Sequence, residues 1–156
     1  MRAVAAAILL AAVAAATLGS FLDWVRITAP QDFRPDDPGN AALSEQMSQP
    51  FTGVEARDGW WVIALAAVIL MAAVLLLIRK KSFYGWISFL ASVVMGSIVF
   101  ADYRAVGDLS SAISRRMDVV GRAEAGIGLT MVAAAVMAAV VGSLIAIAAS
   151  PHRDDG

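Results

Sequence analysis

The chain has 156 residues, of which 60% are hydrophobic, and its mean hydropathy is +0.74. Soluble domains contain about 45–50% apolar residues, so this composition favours a membrane protein. The formal net charge of −1 argues against a nucleic-acid partner, and the absence of cysteine excludes disulfides, thiol catalysis and iron–sulfur ligation.

Four long uncharged runs predict four membrane spans, at residues 3–22, 60–78, 83–101 and 125–149. A helix needs about 20 mostly apolar residues to cross the hydrocarbon core of a bilayer. A soluble helix would carry a polar stripe every three to four residues, and these runs have none. The sequence therefore predicts an all-α membrane protein, a single domain of four transmembrane helices packed as a bundle.

The first run has a second interpretation. Met1 and Arg2 precede an apolar stretch with small residues at 14–16, which is also typical of a cleaved secretory signal peptide. The apolar stretch continues to Leu22, however, and Trp24 follows where an interfacial aromatic anchor is expected. We favour a retained span, and cleavage stays an alternative.

The segment between the first two spans, residues 23–59, is predicted to be an irregular outer loop. It contains Pro30, Pro35, Pro38 and Pro50, which exclude a long regular element. Its last residues lead directly into the second span. There Asp58 is a candidate N-cap of the helix, and the tryptophans at 60 and 61 fit the aromatic belt of a membrane surface.

The turn at residues 79–82 sets the expected orientation. It holds Arg79, Lys80 and Lys81 within a very short connection, and such clusters concentrate on the cytoplasmic side of a membrane. We therefore expect a multi-pass protein of the plasma membrane with both termini in the cytoplasm. Residues 23–59 and 102–124 would then form two outer loops.

Small residues recur at four-residue spacing inside the spans. Ser88, Ser92 and Gly96 share one face of the third span, and Gly142 lies in the fourth. Small faces let helix backbones approach closely within lipid. We expect these residues to pack helices against each other within the bundle, with oligomerisation as the alternative.

The second outer loop carries helical periodicity. Its apolar residues fall at Val106, Leu109, Ile113, Met117 and Val120, which are three or four residues apart. This spacing predicts an amphipathic helix from about Leu109 to Val120, separated from the third span by a break near position 107. The alternative is a solvated extension of the third span.

The sequence shows neither the residue pattern of an enzyme nor that of a transporter. Transporters place ionisable residues at membrane depth, and the predicted spans contain none. No nucleophile, metal-ligand or nucleotide-binding pattern is present, and the single histidine, His152, lies in a polar tail. We predict that the protein is not an enzyme and holds no cofactor.

The order of several short motifs resembles a known group of proteins. Asp23 and Trp24 follow the first span, Gly-Val-Glu-Ala-Arg-Asp-Gly precedes the second at 53–59, a basic turn follows, and Gly-Ile-Gly-Leu opens the last span at 126–129. This layout resembles the small, uncharacterised four-span membrane proteins common in actinobacteria. The resemblance implies the topology and no activity.

The leading functional hypothesis is an accessory or scaffolding subunit of a cell-envelope or transport membrane complex. Such a subunit would contact lipid and a membrane-protein partner, or further copies of itself, through helix faces and outer loops. The candidate interaction residues are Trp24, Phe51, Glu55, Arg57, Asp58, Trp60 and Trp61. An outer-leaflet lipid- or small-ligand-binding protein is the alternative, and an oligomeric channel or transporter is a remote one.

Overall fold

The computed structural model describes residues 1–28, 51–55, 57–79, 81–117 and 122–149. The elements in chain order are α1 (Arg2–Ser20), β1 (Asp23–Thr28), β2 (Phe51–Thr52), α2 (Asp58–Arg79), α3 (Phe83–Met117), β3 (Arg122–Ala125) and α4 (Ile127–Ala148). Among these residues, four helices are long and apolar enough to cross a membrane. The four-helix bundle predicted from the apolar runs is confirmed.

The helices form a closed ring in which sequence neighbours are also spatial neighbours. α1 packs against α2 and α4, and α3 packs against the same two helices. The short connection from Arg79 to Phe83 makes α2 and α3 antiparallel, as in other up-and-down bundles. Each helix contributes at least one large side chain to the shared core, in which Leu9, Ile69, Met95 and Leu129 are at most 1% exposed.

The outer surface of the bundle is apolar, as expected of a four-span membrane protein. Met71, Phe100 and Met137 each expose more than 60% of their surface, although a soluble protein normally buries such side chains. Helices that are hydrophobic all round are typical of membrane spans. Lipid is therefore the expected contact of these faces.

A small antiparallel sheet lies at one end of the bundle, with β1 between β2 and β3. β1 follows the end of α1, and β3 precedes the start of α4 by one residue. We call this the sheet end. The opposite end, where the short connection from Arg79 to Phe83 joins α2 to α3, is the turn end.

The sheet corrects the expectation that the first outer loop is wholly irregular. β1 and β2 both lie in that loop, and Arg26 of β1 is paired with Glu124 of β3, almost 100 residues away. Pairing between such distant segments leaves no local periodicity that a sequence pattern would reveal. Residues 29–50, which hold all four prolines of this loop, lie outside the described part of the chain.

The second correction concerns the helix expected from Leu109 to Val120. α3 runs without a break to Met117, so this stretch extends the third span, which was the alternative interpretation. A helix of 35 residues is about 52 Å long and exceeds a hydrocarbon core of about 30 Å. Glycine in a helix costs only about 1 kcal/mol, which explains why Gly107 does not end it. Residues 118–120 lie outside the described part of the chain.

Candidate functional site at the sheet end

The start of α4 lies directly against the end of α1. A Cβ added to Gly128 would be 2.6 Å from the carbonyl oxygen of Gly19 and 2.7 Å from that of Leu22. The backbone N–H of Gly126 donates to the carbonyl of Trp24 at 2.8 Å. Backbone therefore packs on backbone here, which ties both helices to β1 and gives the sheet end a rigid base.

Trp24 is buried beneath the sheet. It is 3% exposed, and its indole Nε1 donates to the carbonyl oxygen of Gly19 at 2.9 Å. Gly53 lies against the indole ring so closely that a Cβ there would overlap it. A turn at Phe21 and Leu22 folds the chain back and brings the ring to α1. Trp24 is thus a core residue, and the expectation of an interfacial anchor is wrong.

The segment before α2 forms a turn that is closed by its own side chains. The backbone N–H of Thr52 donates to Glu55 Oε2 at 3.1 Å, and the backbone N–H of Glu55 donates to Thr52 Oγ1 at 3.4 Å. The same reciprocal pattern defines the capping box of helices. The exposed carboxylate of Glu55 therefore fixes local backbone, a role that the sequence analysis missed.

The same segment is attached to α1. The N–H of Val54 donates to the carbonyl of Ser20 at 3.1 Å, which satisfies one of the carbonyls left open at a helix end. The N–H of Gly59 donates to Gly53 at 2.8 Å, and that of Arg57 donates to Val54 at 3.2 Å. Arg57 has φ of 69°, a left-handed conformation that costs a non-glycine residue about 1–2 kcal/mol. The surrounding hydrogen bonds hold this conformation in place.

Two adjacent tryptophans follow on the first turn of α2. Trp60 is 60% exposed and Trp61 is 65% exposed, and the side chains of Glu55 and Arg57 are exposed as well. We refer to residues 53–55 and 57–61 as the Trp–Trp segment. Five of the seven predicted interaction residues therefore lie on one short, fixed stretch of the chain, and four of these are exposed. Phe51 belongs to β2, and its side chain is outside the described part of the structure.

Asp58 is the first residue of α2 rather than the residue before it, so it does not occupy the predicted N-cap position. Its carboxyl group lies close enough to that of Asp102 on α3 for the two to interact electrostatically. Asp102 Oδ2 is buried and has no hydrogen-bond partner among the described residues. The sequence analysis missed Asp102, because the apolar run that marks the third span ends one residue earlier.

The predicted small-residue faces lie inside the bundle. Ser88 and Ser92 of α3 are fully buried, and Ser88 Oγ is 3.0 Å from Ser143 Oγ of α4. A Cβ added to Gly96 would be 3.1 Å from Val136 of α4. The small face of α3 thus packs on α4 within one chain. Ser143 is a packing residue that the sequence analysis did not name.

The side chains nearest to Gly142 belong to α1 rather than to α3. A Cβ added there would be 3.1 Å from Ile8 and 3.2 Å from Leu9, both on α1. Gly142 therefore allows α4 to approach α1, which is its other neighbour in the ring.

Among the described residues, no three His, Cys, Asp or Glu side chains are grouped as metal ligands would be. Comparisons with models of protein families, with curated proteins and with solved structures find no significant match to this chain. Function is therefore inferred from the arrangement of residues alone.

Proposed function

We propose that the protein is an accessory or scaffolding subunit of a membrane complex of the cell envelope or of transport, and that it docks its partner on the Trp–Trp segment. The observation that carries this proposal is the pair Trp60 and Trp61, both more than half exposed, on backbone that is held by hydrogen bonds within the segment and by one to α1. A fixed backbone lowers the entropy lost on binding.

The chemistry of the segment suits a protein partner. Tryptophan and arginine are the residues that most often dominate binding energy at interfaces, and here Arg57 lies three residues before Trp60. The opposite charges of Glu55 and Arg57 would orient a partner and select against wrong ones. The strained backbone at Arg57 adds support, since such conformations cluster at functional sites.

The proposal includes an orientation. Arg79, Lys80 and Lys81 at the turn end favour a cytoplasmic turn, cytoplasmic termini and a sheet end outside the plasma membrane. The partner would then bind at the outer surface of the plasma membrane. A non-enzymatic role and a relation to the four-span proteins of actinobacteria are parts of the same proposal.

A second candidate is an outer-leaflet lipid- or small-ligand-binding protein. Exposed tryptophans also sit among lipid headgroups, and Trp60 and Trp61 occupy the end of a membrane span. In that case the purified protein would carry a lipid or small ligand at the sheet end and no second protein.

Affinity purification from native membranes in mild detergent, followed by mass spectrometry, separates the two candidates. We expect one partner protein at constant stoichiometry. With a double W60A/W61A variant, the amount of partner recovered should fall at least tenfold. Trp86→Ala on α3 is the matched control, because Trp86 is 51% exposed but lies near the turn end. Equal recovery with wild type and the double variant would exclude the docking role.

A further inference from the structure

An apolar groove runs between α2 and α3 on the outside of the bundle. It has a volume of about 220 Å³, is open on one side and has an almost entirely apolar lining. Its lining residues are Ala67, Val68, Met71, Ala72 and Leu75 of α2 with Tyr84 and Ile87 of α3. All of them lie within helices that are apolar enough to cross a membrane, so the groove opens towards lipid tails.

The groove leads to the basic turn. Residues three or four apart share one face of a helix, and the lining positions Val68, Met71 and Leu75 continue at that spacing to Arg79. On the other side, the N–H of Tyr84 donates to the carbonyl of Lys81 at 3.4 Å, which places Lys81 one turn from the lining. Arg79 and Lys81 are both exposed. The cations thus lie where the groove meets the membrane surface.

Nothing in the neighbouring sequence neutralises these cations. No Asp or Glu occurs between Asp58 and Asp102, a stretch that contains both groove-lining segments and the whole turn. The groove therefore combines an apolar slot at membrane depth with an excess of positive charge at its mouth. A phospholipid with a negatively charged headgroup matches both features, since its acyl chain suits the apolar slot and its phosphate suits the positive charge.

We propose that this groove binds an anionic phospholipid from the leaflet at the turn end. One acyl chain lies in the groove between α2 and α3, and the headgroup phosphate lies between Arg79 and Lys81. An apolar cavity of about 150 Å³ already holds a benzene molecule, so the groove is large enough for a segment of acyl chain. The site is at the opposite end from the Trp–Trp segment and is independent of the proposed function.

The test uses the full chain purified in detergent, with phosphatidylglycerol as the anionic probe and phosphatidylcholine as the zwitterionic one. Native mass spectrometry measures bound lipid, and thermal unfolding measures stabilisation. We expect phosphatidylglycerol to bind at one site and to raise the unfolding midpoint, and phosphatidylcholine with the same acyl chains to bind at least tenfold more weakly. Equal binding of the two lipids would overturn the proposal.

Two variants separate the groove from the charges. Ala67→Leu fills the groove, and Ala64→Leu is its control, since Ala64 is also an exposed alanine of α2 but is not among the lining residues. We expect the first change to weaken phosphatidylglycerol binding about fivefold to tenfold and the second to leave it unchanged. Equal effects of the two changes would refute the assigned position of the acyl chain.

The double R79Q/K81Q variant tests the headgroup contact. Each cation near a membrane surface contributes about fivefold to binding of an anionic lipid, so the pair should contribute about 25-fold. Arg104→Gln, at an exposed cation near the sheet end, is the control and should have no effect. Unchanged affinity in the double variant would overturn the proposal. If the purified protein is a dimer and Ala67→Leu dissociates it, the groove binds a second copy of the chain and the lipid proposal is wrong.

Discussion

The same substitution, glycine to alanine, should have opposite effects at two helical positions of this protein. At Gly128 an added Cβ would lie 2.6 Å from the carbonyl oxygen of Gly19. At Gly107 it would meet no heavy atom within 4 Å. Alanine favours the interior of a helix over glycine by about 1 kcal/mol, and by less in the first turn, where Gly128 lies, so the contacts of the added Cβ decide the sign of each effect.

The magnitude at Gly128 follows from the distance. A carbon normally stays about 3.3 Å from a carbonyl oxygen, so α4 would have to move away from α1 by about 0.7 Å. A gap of this size forfeits roughly a quarter to a half of the dispersion energy of the contacts that it separates. Overpacking of tight cores costs about 1–3 kcal/mol, and the helix preference offsets only part of it. We expect a net destabilisation of about 1–2 kcal/mol.

Thermal unfolding in detergent, followed by far-ultraviolet circular dichroism, measures the effect of Gly128→Ala. For a chain of this size, 1 kcal/mol shifts the midpoint by about 2–4 °C, so we expect a decrease of about 2–8 °C. An unchanged or raised midpoint would show that α1 and α4 do not approach each other as closely as the structure has it.

Gly107→Ala is best measured locally, because the exposed part of α3 opens without unfolding the bundle. A gain of about 1 kcal/mol should slow hydrogen exchange of the backbone amides around residue 107 about fivefold. Faster exchange would mean that Gly107 ends the helix, as the sequence pattern alone suggested, and would refute the continuous α3.

Three further predictions concern packing, the turn before α2 and topology. Ser92→Leu should destabilise the protein by about 1–3 kcal/mol in thermal unfolding, because Ser92 is fully buried. Phe89→Leu should destabilise it less, since Phe89 is only partly buried. Equal losses of stability would contradict the packing of α3 on α4. Glu55→Ala and Thr52→Ala each remove one half of the same reciprocal contact. If Glu55 also contacts the partner, its loss should reduce partner recovery further than the loss of Thr52, and equal recovery would reduce Glu55 to a structural role. Because the chain has no native cysteine, single cysteines report topology cleanly: an impermeant reagent on intact cells should label position 40 and spare position 154, and the reverse pattern would invert the proposed orientation.

The sequence by itself determined the four helices and, apart from the end of α3, their approximate ends. An uncharged run of about 20 residues is a local property, and in lipid its backbone can satisfy its hydrogen bonds only within a helix or a closed barrel. The four-residue spacing of Ser88, Ser92 and Gly96 likewise marked a face of close contact, although it did not identify the partner helix. Those features needed no knowledge of the rest of the chain.

The tertiary structure decided everything that depends on distant residues meeting at the sheet end. β1 finds its partner strand almost 100 residues later, and Asp58 meets Asp102 only because α2 and α3 are neighbours in the ring. Trp24 was predicted to be an interfacial anchor because it directly follows the first apolar run, where such anchors are expected. The turn after α1 placed it in the core instead, where Gly53 covers the ring and the end of α1 accepts its N–H. Local hydrophobicity determines which segments enter the membrane, but burial and exposure at their ends depend on which segments pack together there.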